Sequence, residues 1–377
     1  MYLAGVASQL SLSVVLEVIG GFIPHKLRCA TCLALQAGSA AFLVHPAYGG
    51  LVTSRVLGGF AAALLHSSFE AWMVEQHVGQ GFPLDWFTHT FNKLSIAMSA
   101  LAIVVGPVVM TAHDLGGGNL GPFKLSLAVV ALNGFQLIAW RRDANKSCPT
   151  FADTARLASH AWAGVVGGGQ VSLIATAQGC FEGATFGFAL LWTPLLAAAS
   201  DLSTPAGAEA AVDPPWGIAF SQQLACVMIG SVVFKLVMAF YAGVTAERMC
   251  VWACSGGAVC FGGLALGLPL AGAQAALLGF EACVGVYLNA MGVMRSKYIP
   301  HEVRGLVLAV SKLVITTGLF VVLVFVSESR GISASLCSLM AAIAAFCSAR
   351  AAAGDAVGAR GDDAEDDEET TGLAQRR

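Results

Sequence analysis

RVLGGFAAALLHSSFEAWMVEQH, residues 55–77, decides the fold. Its apolar run is long enough for a helix to cross a hydrocarbon core of about 30 Å. Yet Arg55, His66 and Glu70 lie inside it or at its edge. At about 100° per residue, Arg55, His66, Glu70 and His77 fall in one narrow sector, opposite Ala, Leu, Phe and Val. A membrane helix with one polar stripe turns that stripe toward protein or water. The stretch therefore predicts a polytopic protein with a polar interior.

Composition agrees. The chain has 377 residues, 56% hydrophobic and 11% charged, and its mean hydropathy is +0.73. Soluble domains carry about 25% charged residues. A net charge of −3, much of it from one terminal run, leaves no basic face for nucleic acid. The 43 glycines suit close helix packing in lipid. The 11 cysteines are scattered through apolar runs. Cys250 and Cys254 are one helical turn apart but lack flanking ligands, so the cysteines read as small buried hydrophobes.

Working outward, eleven apolar segments are long enough to span: 1–23, 29–46, 50–74, 92–112, 121–140, 168–197, 217–243, 249–269, 272–294, 304–327 and 332–349. Cations occur in every second connection. They include Lys26 and Arg28, then Lys93, Arg141 and Arg142, Arg248, Arg295 and Lys297, and Arg350. The positive-inside rule makes those connections cytoplasmic. A transmembrane bundle over 1–140, a cytoplasmic connector over 141–167 and a six-helix bundle over 168–350 follow. The remainder, 351–377, contains Asp362-Asp363-Ala364-Glu365-Asp366-Asp367-Glu368-Glu369 and is expected to be a disordered acidic tail in the cytoplasm.

Ionised groups at mid-membrane cost about 2.5–3.5 kcal/mol and call for an explanation. Lys312, Glu281 and Glu182 lie deep in their segments, with Gln178 one turn before Glu182; Lys235 lies nearer an end. Arg55, Glu70, Glu182, Glu281, Lys312 and Lys235 are the candidate substrate-binding residues. The lysines would meet an anion, and the acids would balance them or carry a coupling proton. Ser67, Tyr287 and Asn289 could complete an oxyanion shell. The plainer alternatives are helix-pinning ion pairs and snorkelling lysines. The chain shows no catalytic motif, metal-ligand spacing or cofactor loop, so neither an enzyme nor a bound cofactor is expected.

Particular residues then resemble a known family. Arg55-Val56-Leu57-Gly58-Gly59, Phe69-Glu70-Ala71-Trp72, His77, Phe82-Pro83, Trp86 and Thr90-Phe91 resemble the fourth and fifth helices of the molybdate-anion transporter family, a branch of the major facilitator superfamily. Phe181-Glu182 with Leu191-Trp192-Thr193-Pro194 resembles its seventh helix. Glu281-Ala282-Cys283, Tyr287, Arg295, Lys297 and Ile299-Pro300 resemble its tenth. Lys93 and Lys312 fall where relatives carry a basic residue.

The resemblance implies an all-α integral membrane protein with the major facilitator fold: two helical bundles, with about eleven of twelve helices present. The chain would start at the family's second helix. In the loop over 21–28, the acid that the superfamily normally carries is missing. The implied function is cellular molybdate uptake by alternating access. A monomer in the cell membrane is expected, with an oxyanion substrate and the bilayer as its partners. The rivals are a facilitator of another small solute, such as a sugar, and a non-transporting receptor or scaffold.

Overall fold

The computed structural model describes residues 24–43, 47–82, 85–139, 156, 159, 162–203, 216–241, 243–299, 307 and 329–374. Among these the regular structure is helical: α1 His25–Leu43, α2 Tyr48–Gly79, α3 Asp85–Leu115, α4 Gly121–Ala139, α5 Gln170–Ser203, α6 Trp216–Phe240, α7 Ala246–Ala265, α8 Leu270–Tyr298 and α9 Arg330–Ala374. Seven stretches of the described residues are long and apolar enough to span a membrane; they lie in α2 and α4 to α9. The span expected at 92–112 falls on α3, whose apolar part, Ala100–Leu115, is shorter than the seven. The span expected at 29–46 falls on α1, helical over 19 residues but diluted by Thr31, Gln36 and Ser39, and not among the seven. The segments 1–23 and, apart from Val307, 304–327 lie outside the described residues.

The chain divides into two compact units. The first takes residues 1–162, 208–225 and 305–321; the second takes 163–207, 226–304 and 322–377. The first boundary falls inside the connector expected at 141–167. The units are not contiguous in sequence: 208–225 and 305–321 group with the first.

In the first unit α1 packs on α2 and α4, and α4 packs on α3. Small residues let α1 and α2 approach. Ser39 Oγ donates to the Ser54 carbonyl at 2.9 Å, and Ser54 Oγ returns a bond to the Ser39 carbonyl at 2.8 Å. Cys32 Sγ reaches the Ala61 carbonyl at 3.3 Å. The turn from α3 to α4 needs left-handed backbone at Gly117 and Gly118, where φ is 87° and 78°. Lys124 Nζ caps that turn by donating to the Gly116 carbonyl at 3.0 Å. The first turns of α6 lie against α3: Ser221 Oγ donates to the Ile103 carbonyl at 2.8 Å, and a Cβ on Gly106 would collide with the Gly217 carbonyl. This contact accounts for the grouping of 208–225.

In the second unit α9 packs on α5 and α7, and α8 packs on the same two helices. Rings fill its centre. Phe280 stacks on Phe188 with centroids 5.1 Å apart and meets Phe261 edge-on at 4.6 Å. A bare-backbone crossing joins α6 and α8. A Cβ on Gly230 would collide with the Ala282 carbonyl, and one on Gly285 with the Val227 carbonyl, while Ser231 Oγ donates to the Gly285 carbonyl at 3.3 Å. Seven of the ten described cysteines are buried.

The α9 backbone stays helical through Ala374. Residues 351–353 are alanines, the best helix formers. Extending an existing helix avoids the cost of nucleating one.

Candidate functional site

Gln178, Phe181 and Glu182 share one face of α5, because steps of three and four residues return to the same side of a helix. Gln178 is wholly buried. Its Nε2 donates to Glu182 Oε1 at 2.7 Å, while its own Oε1 has no hydrogen-bond partner. Tyr287 approaches from α8, 2% exposed. Its ring stacks on Phe181 with centroids 4.1 Å apart, and its hydroxyl has no partner either. Glu182 and Arg295 both lie within electrostatic reach of that hydroxyl. A buried polar atom left unpaired costs about 1–3 kcal/mol. Two of them, one acceptor and one hydroxyl, flank the ring stack in the core of the second unit. Together they can give a hydrogen bond to an incoming oxygen and accept one from an incoming hydroxyl.

The six residues proposed from sequence separate on inspection. Glu182 and Glu281 are half-buried in the second unit, and Glu281 lies within electrostatic reach of Cys226 on α6. Arg55 on α2 and Lys235 on α6 are exposed on their helices. Lys235 is five residues from the end of α6, where its stem can lie along apolar surface and its head can reach the interface. Glu70 sits on helical backbone, with its side chain outside the described residues. Lys312 lies outside them altogether. Of the proposed hydrogen-bond donors, Asn289 is satisfied within its own helix, donating to the Gly285 carbonyl at 2.9 Å; Ser67 has no described side chain.

One polar cluster escaped the sequence reading. Glu247, in the first turn of α7, is 6% exposed. It accepts from Lys297 Nζ at 3.1 Å and from Tyr298 Oη at 3.0 Å, both at the end of α8. Burial pushes the Tyr298 hydroxyl up to about 12. Thr245 caps α7 by accepting from the Arg248 amide at 3.4 Å. The available signal was the Thr-x-Glu start of α7, which marks a helix N-terminus but says nothing of its partner.

A family model described as sugar transporters, 12 TM, matches residues 1–261. The molybdate-anion transporter of Xenopus tropicalis is 28% identical over 314 residues, 80% of this chain and 65% of that protein. That of Danio rerio is 31% identical over 263 residues, covering 63% and 51%. The chain thus spans about half to two thirds of the length of these relatives. Among solved structures, the E. coli fucose:proton symporter aligns at a TM-score of 0.56 and 13% identity, covering 93% of this chain and 96% of that one. The nucleoside transporter NupG aligns at 0.64 and 11%, covering 93% and 90%. These two likenesses concern the fold alone.

Proposed function

The chain belongs to the major facilitator family of twelve-helix transporters, and from that premise we propose that it carries molybdate or a related oxyanion across the cell membrane by alternating access. The observation that carries this reading is the likeness to molybdate-anion transporters over 80% of the chain. The unpartnered Tyr287 hydroxyl supports it, because a fully buried donor is matched when an oxyanion oxygen arrives. Gln178 holds the Glu182 carboxylate by hydrogen bonding, which suits a group that balances or exchanges charge during the cycle. Glu281 is a second acid in the same unit.

The test is molybdate accumulation in cells that lack their own uptake and express this chain. Flux above the empty-vector level, reduced by excess tungstate, supports the proposal. No flux from correctly inserted protein overturns it. A second reading, a facilitator of a sugar-like solute, draws on the description of the matching family. It predicts flux of a neutral solute that molybdate does not inhibit.

A further inference from the structure

The first unit carries a groove of about 850 Å³ between α1 and α4. It runs from Pro24 to Ala37 on α1 and from Leu127 to Ile138 on α4. At 1.5 Å per residue those stretches are about 20 Å and 16 Å long. One leaflet of a bilayer has a hydrocarbon depth of about 15 Å. The lining is apolar except for Lys26, one turn or less from the start of α1.

Lys26 marks one end of the groove. Three crossings separate the starts of α1 and α4, so the two helices run in opposite directions, and the beginning of α1 is level with the end of α4. The cation pattern of the chain makes that end cytoplasmic. The groove is thus about one leaflet deep, apolar along its length, with Lys26 at its cytoplasmic mouth.

We propose that this groove is a binding site for an anionic phospholipid of the cytoplasmic leaflet. An acyl chain lies between α1 and α4, and the phosphate-bearing headgroup lies at Lys26. A basic pocket between spanning helices on the cytoplasmic side is suited to such headgroups. At the opposite ends of these helices the cation is Lys124, which donates to the Gly116 carbonyl at 3.0 Å and does not line the groove.

The full chain is purified from membranes and offered phosphatidylserine and phosphatidylcholine with identical acyl chains, and retained lipid is counted by native mass spectrometry. The expected result is a preference for phosphatidylserine of about fivefold, the effect of one interfacial cation. Lys26→Gln abolishes the preference without reducing total bound lipid. Gly134→Trp fills the groove and reduces both lipids; Ala34→Leu does the same with a smaller side chain should the tryptophan variant fail to fold. Equal retention of the two lipids by the unmodified protein overturns the proposal, as does an undiminished preference in Lys26→Gln. Efficient disulfide cross-linking between Ala34→Cys chains in native membranes overturns it in favour of a second copy in the groove.

Discussion

Gln178 and Glu182 are joined along α5 by a 2.7 Å hydrogen bond whose donor amide is wholly buried. Gln178→Leu keeps the volume and removes the donor. A hydrogen bond to a charged group contributes about 1.5–3 kcal/mol. If the carboxylate must be held for transport, molybdate uptake falls about tenfold or more in Gln178→Leu at unchanged surface expression. Glu182→Gln separates charge from shape: it keeps a hydrogen-bonding partner for Gln178 and loses uptake. Full uptake in both variants removes Glu182 from the proposed site.

Tyr287→Phe is expected to divide stability from function. The ring still stacks on Phe181, while the unpartnered hydroxyl disappears. Removing a buried unsatisfied group stabilises by up to about 1–3 kcal/mol. Thermal unfolding in detergent is expected at an equal or higher temperature, with uptake reduced. A lower unfolding temperature with normal uptake would mean that the hydroxyl serves the fold.

Gly230→Leu places a side chain where the Ala282 carbonyl stands. Backbone cannot yield as a flexible side chain does, and overpacking a close contact costs about 1–3 kcal/mol or more. The expected result is loss of monodisperse protein on size exclusion. Gly243→Leu, at a position with open space for a Cβ, serves as the control that stays monodisperse.

Lys297→Ala leaves the buried Glu247 carboxylate with Tyr298 as a remaining donor. The Lys297 side chain is 46% exposed, so solvent screening limits the direct loss to about 1 kcal/mol. The double variant Lys297→Ala/Glu247→Gln is expected to be more stable than additivity predicts, because it also removes the charge left behind. A double-mutant cycle by thermal unfolding measures this. Strict additivity would show that the two residues act independently.

The membrane class was legible from the polar stripe in 55–77 and from the rarity of charge, since the bilayer constrains composition directly. The order of the spans followed for the same reason. Two features were not legible. The grouping of 208–225 with the first unit depends on Gly106 and Gly217 meeting, and glycines so spaced in sequence carry no mark of their partner. The helical course of α9 beyond Ala351 depends on propagation from an existing helix, which a charge count ignores. At the site, depth in the sequence pointed to Glu182, which is half-buried beside the wholly buried Gln178. Lys235, read from the sequence as lying nearer a helix end, is exposed on α6, where a lysine can extend its head outward. Glu247 was missed because its partners lie fifty residues away.

The burial of the thiols has a practical consequence for chemical mapping. Cys29, Cys32, Cys180, Cys250, Cys254, Cys337 and Cys347 are packed away, and only Cys226, Cys260 and Cys283 of the ten described are half-buried. A thiol reacts as its thiolate, which needs water to form. A bulky, water-soluble maleimide added to membranes therefore meets a nearly silent background from these positions. Single cysteines introduced along α2, α5 or α8 can then report solvent access one at a time, with these ten native sulfurs left in place and Cys148 replaced.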